Sequence, residues 1–340
     1  MSSGPGKTPT IHDRVRACLI GGAVGDAFGF EIEFDRLSEI RNRFGPCGIT
    51  EPVFHRGHLI VSDDTQMTLF TLEGLLRCPP NRNVPDSVLH SVNEAYLDWY
   101  QTQQPNTSRP FAGALARDEI LHVRRAPGIT CLSALRNGGM GSPASPRNDS
   151  KGCGGVMRVA PVAFWSDIDQ DNLFDLASRT AALTHGHPCG YLSAGAMATM
   201  IAGLIRGMTY DDVSERMLTL LEQEEDGLET VQAIRAARSA ASSPRRADDK
   251  AIQALGEGWV GEEALAIALY AVLVAKDFKE ALRVSANHDG DSDSTASIAG
   301  QLWGAAYGFE GMPADWAKRL DVRHLIDELL KQWSEQGTGS

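Results

Sequence analysis

The sequence predicts an all-α fold, and three observations carry that prediction. Apolar residues recur at helical spacing through most of the 340-residue chain. Strand-like alternation is scarce. Small residues cluster inside the helical stretches, as in Gly21-Gly22-Ala23, Ala194-Gly195-Ala196 and Gly304-Ala305-Ala306, and small residues let helix backbones approach closely. The expected architecture is therefore one compact, densely packed domain of many helices.

The first helix, 13–27, carries the Gly21-Gly22-Ala23 cluster and runs into Gly25-Asp26-Ala27-Phe28-Gly29-Phe30-Glu31-Ile32-Glu33, where acids enter a glycine-containing turn. Taken alone, that stretch reads equally well as a Gly29 helix cap with solvated acids. The second helix, 66–76, follows Ser62-Asp63-Asp64-Thr65 and repeats Leu69, Leu72 and Leu76 at helical spacing. Helical patterns then cover 84–100, 171–184, 192–206, 210–223 and 227–240. The helix at 261–274 holds the longest unbroken apolar stretch, 264–275, with Glu262-Glu263 at its start and Lys276 at its end, charges that suit the helix dipole. It is too short to cross a bilayer, and no membrane span is expected. Helices at 278–285, 296–307 and 314–332 complete the set. Irregular connections are expected at 34–61, at 101–151 with its Gly138-Gly139-Met140-Gly141 turn, and at Ser242-Ser243-Pro244-Arg245-Arg246. The first two precede or join the acidic motifs, where substrate-facing loops occur; the third reads as a plain surface connection. The small, polar ends, 1–10 and 335–340, are expected to be disordered, which leaves a domain over 11–334.

A formal charge of −12 argues against sequence-independent binding to nucleic acid or to an anionic membrane, although a local basic groove stays open. Cys18, Cys47, Cys78, Cys131, Cys153 and Cys189 are scattered with no C-x-x-C pair, and no hydrophobic leader precedes them, which reads as a reducing, cytoplasmic compartment.

The chemistry concentrates in two acidic segments. Asn287-His288-Asp289-Gly290-Asp291-Ser292-Asp293-Ser294-Thr295 sets three carboxylates at alternate positions, where an extended or turning backbone would aim every second side chain at one place. Asp and Ser oxygens suit Mg²⁺, Mn²⁺ or Ca²⁺. The complement is Ser62-Asp63-Asp64-Thr65, where two successive acids flanked by hydroxyls exceed what one helix cap needs. Carboxylates crowded from both segments would repel strongly unless cations neutralised them, so a two-metal centre is the natural reading. An EF-hand fails, because Ser294 and Gly300 stand where its loop needs Gly and a bidentate Glu. An isoprenoid-synthase D-D-x-x-D motif fails too, since Asp63-Asp64-Thr65-Gln66-Met67 lacks the third acid.

Two further motifs bear on substrate. Ser150-Lys151-Gly152-Cys153-Gly154-Gly155-Val156-Met157-Arg158 is glycine-rich without the G-K-[ST] of a Walker A loop, yet its backbone amides could cradle a diphosphate. Cys153 reads equally as a packed or a reactive residue. In Thr184-His185-Gly186-His187-Pro188, an oxygen-rich metal site does not ask for imidazole, so His185 either touches substrate or makes a structural hydrogen bond.

Taken together and in this order, Gly25 to Gly29 with Glu33, Ser62 to Thr65, Gly152 to Arg158, Thr184-His185 and Gly290 to Ser294 resemble the motifs of the ADP-ribosylglycohydrolase family. The resemblance implies an all-α fold with a binuclear Mg²⁺ or Mn²⁺ centre in a central cleft that binds ADP-ribose. It makes Ser62, Asp63, Asp64 and Asp293 ligands of one metal, and Glu33, Asp291, Asp293 and Ser294 ligands of the other. It also makes Ser150, Lys151, Gly152, Cys153, Gly154, Gly155, Met157 and His185 the substrate contacts. Many members carry Asn where Cys153 stands, and Thr at the places of Ser62 and Ser294; the serines keep the hydroxyl oxygen.

The expected reaction is hydrolysis at the anomeric carbon of the distal ribose. Glu33, Asp63 and Asp64 are the candidate catalytic acids, with Glu33 or Asp64 assisting proton transfer. ADP-ribosyl-arginine on a protein is the default substrate. ADP-ribosyl-serine, O-acetyl-ADP-ribose and an ADP-ribosylated nucleobase are alternatives, as is a catalytically idle ADP-ribose reader. The family tendency implies a monomer.

Overall fold

A computed structural model of the chain describes residues 8–78, 85–106, 109–136, 138–165, 172–243 and 249–337. The described residues form helices and turns, with isolated bridges and no strand. In chain order the helices are α1 (Ile11–Gly29), α2 (Leu37–Phe44), α3 (Asp63–Leu76), α4 (Pro85–Thr102), α5 (Ile129–Leu135), α6 (Leu173–Ala182), α7 (Pro188–Ile205), α8 (Tyr210–Leu221), α9 (Leu228–Ser242), α10 (Asp249–Gln253), α11 (Gly261–Val274), α12 (Phe278–Ala286), α13 (Ser292–Tyr307), α14 (Ala314–Lys318) and α15 (Arg323–Gly337). The all-α expectation holds.

The centre of the molecule is the antiparallel pair α1 and α13. A Cβ built on Gly25 would lie 2.1 Å from the Ala296 carbonyl oxygen, one on Gly29 would lie 2.1 Å from that of Ser292, and one on Gly304 would lie 2.1 Å from that of Ala17. The two backbones touch where these residues carry no side chain, so the glycine spacing fixes both the distance and the register of the pair. That register brings the C-terminal end of α1, and Glu33 just beyond it, beside the N-terminal end of α13. Helices α7 and α11 are buried nearly all round and complete the core. Helix α7 is long and apolar enough to cross a membrane, but 89% of it is buried in the structure, as expected of a core helix.

Several boundaries differ from the sequence reading, each for a local reason. The stretch 34–61 is not irregular throughout: Glu39 folds back to accept the Arg36 backbone N–H at 2.8 Å and starts α2, whose eight mostly polar residues are too few to show a period. Likewise 101–151 contains α5. The helix expected at 314–332 breaks into α14 and α15, because residues between them pair with Leu59: its amide donates to the Arg319 carbonyl and its carbonyl accepts from the Asp321 amide. Helix α15 continues through Gly337, into the expected tail. Residues 1–7 and 338–340, the first residues of the expected helices at 84 and 171, and most of the expected loop from Ser242 to Arg246 lie outside the described residues.

The acids open two helices, as their place just before 66–76 and 296–307 anticipates, but both helices begin earlier than expected. Helix α3 starts at Asp63 and α13 at Ser292, so Asp63, Asp64, Asp293 and Ser294 sit in first helical turns, with Ser62 and Asp291 as the N-caps.

Candidate active site

Three chain segments converge at one end of the central pair. The short turn after α1 presents Glu33, the start of α3 presents Asp63 and Asp64, and the start of α13 presents Asp291, Asp293 and Ser294. These six residues line one cleft of about 470 Å³. Ser62 is fully buried at the cap of α3, where its Oγ accepts from the Asp64 amide at 3.2 Å, and it stands behind the cleft lining. Asp291 caps α13 by accepting from the Ser294 amide at 3.1 Å. Both helix N-termini face the cleft, so their dipoles favour negative charge there.

Asp26 holds α1 and α3 together. Its fully buried carboxylate accepts from the backbone amides of Ser62 at 2.8 Å and Thr65 at 3.0 Å, and so does the work of a cap for α3 from another helix. The motif at 25–29 does not by itself assign Asp26 this role; its one signal in sequence is an acid in the middle of a small-residue helix. On the other side, Asp63 accepts from the Gly128 amide at 3.1 Å, which ties down the loop before α5. Gly290, with φ of 122°, makes the turn into α13 and lets the Asp291 amide donate to the Glu257 carbonyl at 2.9 Å.

The electrostatics of this cluster are unfavourable without a counter-charge. Burial, then the charges of Asp293, Asp291, Asp63 and Asp26, push the Glu33 carboxyl up to about 10. Burial and Asp293 push Asp26 up to about 7. Asp63, Asp64 and Asp293 are also raised well above the ordinary range, chiefly by burial. Glu33 Oε2 and Asp64 Oδ2 are buried with no hydrogen-bond partner. Orphaned carboxylate oxygens in an all-oxygen donor set have the chemistry to accept hard divalent cations. A separate triad, Cys189, Glu229 and Glu262, has donor atoms within 4.8 Å of one another, but there the Lys151 ammonium already pairs with Glu229.

The glycine-rich segment forms the facing wall through Gly152, Cys153, Gly154 and Met157. The Cys153 thiol donates to Asp291 Oδ2 at 2.8 Å. Burial and the charges of Asp291 and Asp64 push that thiol well up, so it is neutral at ordinary pH. The amide of Gly152 is taken by Ser150 Oγ and that of Cys153 by the Trp259 carbonyl. Ser150, Lys151 and Gly155 stand behind the wall: Ser150 is hydrogen-bonded to Thr130, Lys151 reaches away to Glu229, and Gly155 packs against Ala181 and Gly190. His185 lines the cleft beside Gly152 and Gly154, and burial and the Arg158 charge push it down to about 3, so it is neutral. The rim adds Phe34, Ile129 and Trp259, none of which carried a signal in sequence. Phe34 and Trp259 stack with ring centroids 6.0 Å apart, although they are 72% and 39% exposed.

The chain is similar to known proteins over nearly its whole length. The ADP-ribosylglycohydrolase family model matches residues 7–339. Similar chains include the ADP-ribosyl-[dinitrogen reductase] glycohydrolase of Rhodospirillum rubrum, 25% identical over 335 residues that cover 95% of this chain and 97% of that protein. The ADP-ribosylarginine hydrolase Tri1 of Pseudomonas putida (strain GB-1) is 24% identical, with 94% and 77% covered. The ADP-ribosylhydrolase ARH3 of Gallus gallus is 25% identical, with 91% and 89% covered. Among solved structures, an ADP-ribosylglycohydrolase-related protein complex shares the fold, with a TM-score of 0.66 at 23% identity over 96% of this chain and 98% of that one.

Proposed function

We propose, from the premise that this chain belongs to the ADP-ribosylglycohydrolase family, that it removes ADP-ribose from arginine side chains of modified proteins in a reaction that depends on divalent cations. As a member of that family the chain is a glycosidic-bond hydrolase. The observation that carries the finer reading is the convergence of six oxygen-bearing residues from three separate segments on one cleft walled by a glycine-rich segment and His185.

Ser62, Asp63, Asp64 and Asp293 would hold one Mg²⁺ or Mn²⁺, and Glu33, Asp291, Asp293 and Ser294 a second, with Asp293 shared. When bound, the cations supply charge neutralisation and Lewis acidity to the cleft. The remaining work falls to side chains. Glu33 or Asp64, each with an oxygen free of hydrogen bonds, accepts the proton of the attacking water. The ring of acids favours the positive charge that builds on the ribose as the glycosidic bond lengthens. Gly152 and Gly154, without side chains, leave room for the ribose and diphosphate to approach the wall. His185, neutral, offers a hydrogen bond without repelling a cation.

Arginine as the target is supported by the rim. The stacked, exposed Phe34 and Trp259 offer flat apolar faces on which a guanidinium packs well, whereas a serine linkage gains nothing from them. Two relatives bear names that specify ADP-ribosyl-dinitrogen reductase and ADP-ribosylarginine. None of the six cysteines forms a disulfide, which supports a reducing, cytoplasmic setting, and the enzyme would act as a monomer.

The test is release of free ADP-ribose from ADP-ribosylated arginine, serine, acetate and nucleobase substrates, each with Mg²⁺ and with chelator. The expected result is release from arginine that chelation abolishes. Faster release from serine, O-acetyl-ADP-ribose or a base would replace the target, and full release in chelator would remove the metal requirement.

A further inference from the structure

Arg158 lies behind the cleft wall, fully buried, with no carboxylate partner among the described residues. Its guanidinium carbon rests 4.4 Å above the centre of the Tyr96 ring. One terminal nitrogen donates to Cys131 Sγ at 3.2 Å and the other to Thr184 Oγ1 at 2.6 Å. A buried cation held by an aromatic face, a thiol and a hydroxyl is a costly arrangement, and core packing alone does not call for one.

The consequence lies in the direction of the bonds. A guanidinium has donors and no acceptor, so Thr184 Oγ1 must accept from Arg158. The one hydroxyl proton of Thr184 is then free to donate elsewhere. His185 Nδ1 lies 2.8 Å away, while the alternative acceptor, the Ala181 carbonyl, lies at 3.5 Å. Were Nδ1 protonated, it would donate to Thr184 Oγ1 and leave the hydroxyl proton only that long contact, so donation from Thr184 to Nδ1 is the arrangement that satisfies both atoms. A ring nitrogen that accepts carries no proton, so the proton of the neutral imidazole sits on Nε2. Nε2 is the nitrogen turned towards the glycine-rich wall: a Cβ on Gly152 would lie 3.2 Å from it, and one on Gly154 3.0 Å.

We propose that Arg158 and Thr184 form a positioning pair that locks His185 as its Nε2–H tautomer, so that the cleft presents a fixed hydrogen-bond donor to an oxygen of the bound ADP-ribose. The choice of ligand rests on the function proposed above; the tautomer does not. Neither Arg158 nor Thr184 lines the cleft, so each acts through His185. Asn148 closes the far side of the turn by donating to the Thr184 carbonyl at 2.7 Å, which holds the threonine in place without using its hydroxyl.

The experiment is long-range proton–nitrogen NMR on protein labelled with ¹⁵N-histidine, the His185 signals being those lost in His185→Asn. The expected wild-type pattern is Nε2–H at neutral pH, with the same pattern in Thr184→Ser. In Thr184→Val the fixed pattern is lost, and ADP-ribose, measured by calorimetry, binds about tenfold more weakly. An Nδ1–H ring in the wild type overturns the proposal, and so does an unchanged spectrum in a folded Thr184→Val. If Thr184→Val does not fold, the wild-type and Thr184→Ser spectra decide. An Nε2–H ring in a chain that releases no ADP-ribose leaves the positioning pair standing and removes the functional reading. An Nδ1–H ring in an active hydrolase does the reverse.

Discussion

Asp293 is the residue at which the cleft's electrostatics concentrate: it raises Glu33, Asp26, Asp63 and Asp64 all at once. Replacing it with Asn should lower ADP-ribose release by more than about 100-fold, since it would remove the carboxylate that both proposed cation positions share. The same change should stabilise the protein in chelator, because it relieves a buried repulsion, and thermal melts with and without chelator would show this opposition. A uniformly damaged fold would lower both quantities. Cys153 offers a second check at this scale. With its thiol pushed up by burial and by Asp291, it should react with iodoacetamide far more slowly than the exposed Cys47, as peptide mapping would reveal. Most of these residues were legible in the sequence, because acids and hydroxyls in excess of any capping need are rare. Asp26 was not, because its role is to accept amides of α3, and no pattern within α1 announces a partner 36 residues away.

Helices α1 and α13 convert glycine spacing into site geometry. Gly25→Ala should drive a methyl group into the Ala296 carbonyl and cost about 2 kcal/mol or more in urea unfolding. Gly29→Ala meets Ser292 and lies 2.6 Å from Asp293 Cα, so it should also shift Asp293 and weaken divalent-cation binding in calorimetry. An equal loss of stability in both variants with no change in cation affinity would disconnect the packing from the site. The glycines themselves were visible as clusters, and close packing followed from them. Which helix they pack against was not visible, since α1 and α13 are separated by most of the chain. The acids were legible as the mouths of two helices, but not which of them stand inside the first turn: Ser and Asp suit both a cap and a loop, and the choice depends on whether other elements satisfy the free amides.

For the molecule as a whole, the acidic cluster predicts an unusual dependence of stability on pH. Asp26 rises from 3.8 to about 7 and Glu33 from 4.5 to about 10 on folding without cations. Raised carboxyls mean that the folded state binds more protons than the unfolded one, so stability must fall as pH climbs through that window. In chelator, the melting temperature should therefore drop between about pH 5 and about pH 8, and Mg²⁺ or Mn²⁺ should restore more at the higher value, where it replaces the missing protons. A flat profile in chelator would show that the acids are already neutralised by some other means. The sequence by itself determined the helical class, the oxygen-rich chemistry and most of the residues that carry it, because periodicity and residue type are local properties. The tertiary structure alone decided that Glu33, Asp63 and Asp293 share one cleft, that Lys151 turns away from it, and that Arg158 stands behind His185. Those facts depend on the α1–α13 register and on helix termini meeting across long sequence separations, and no local pattern encodes which ends will meet.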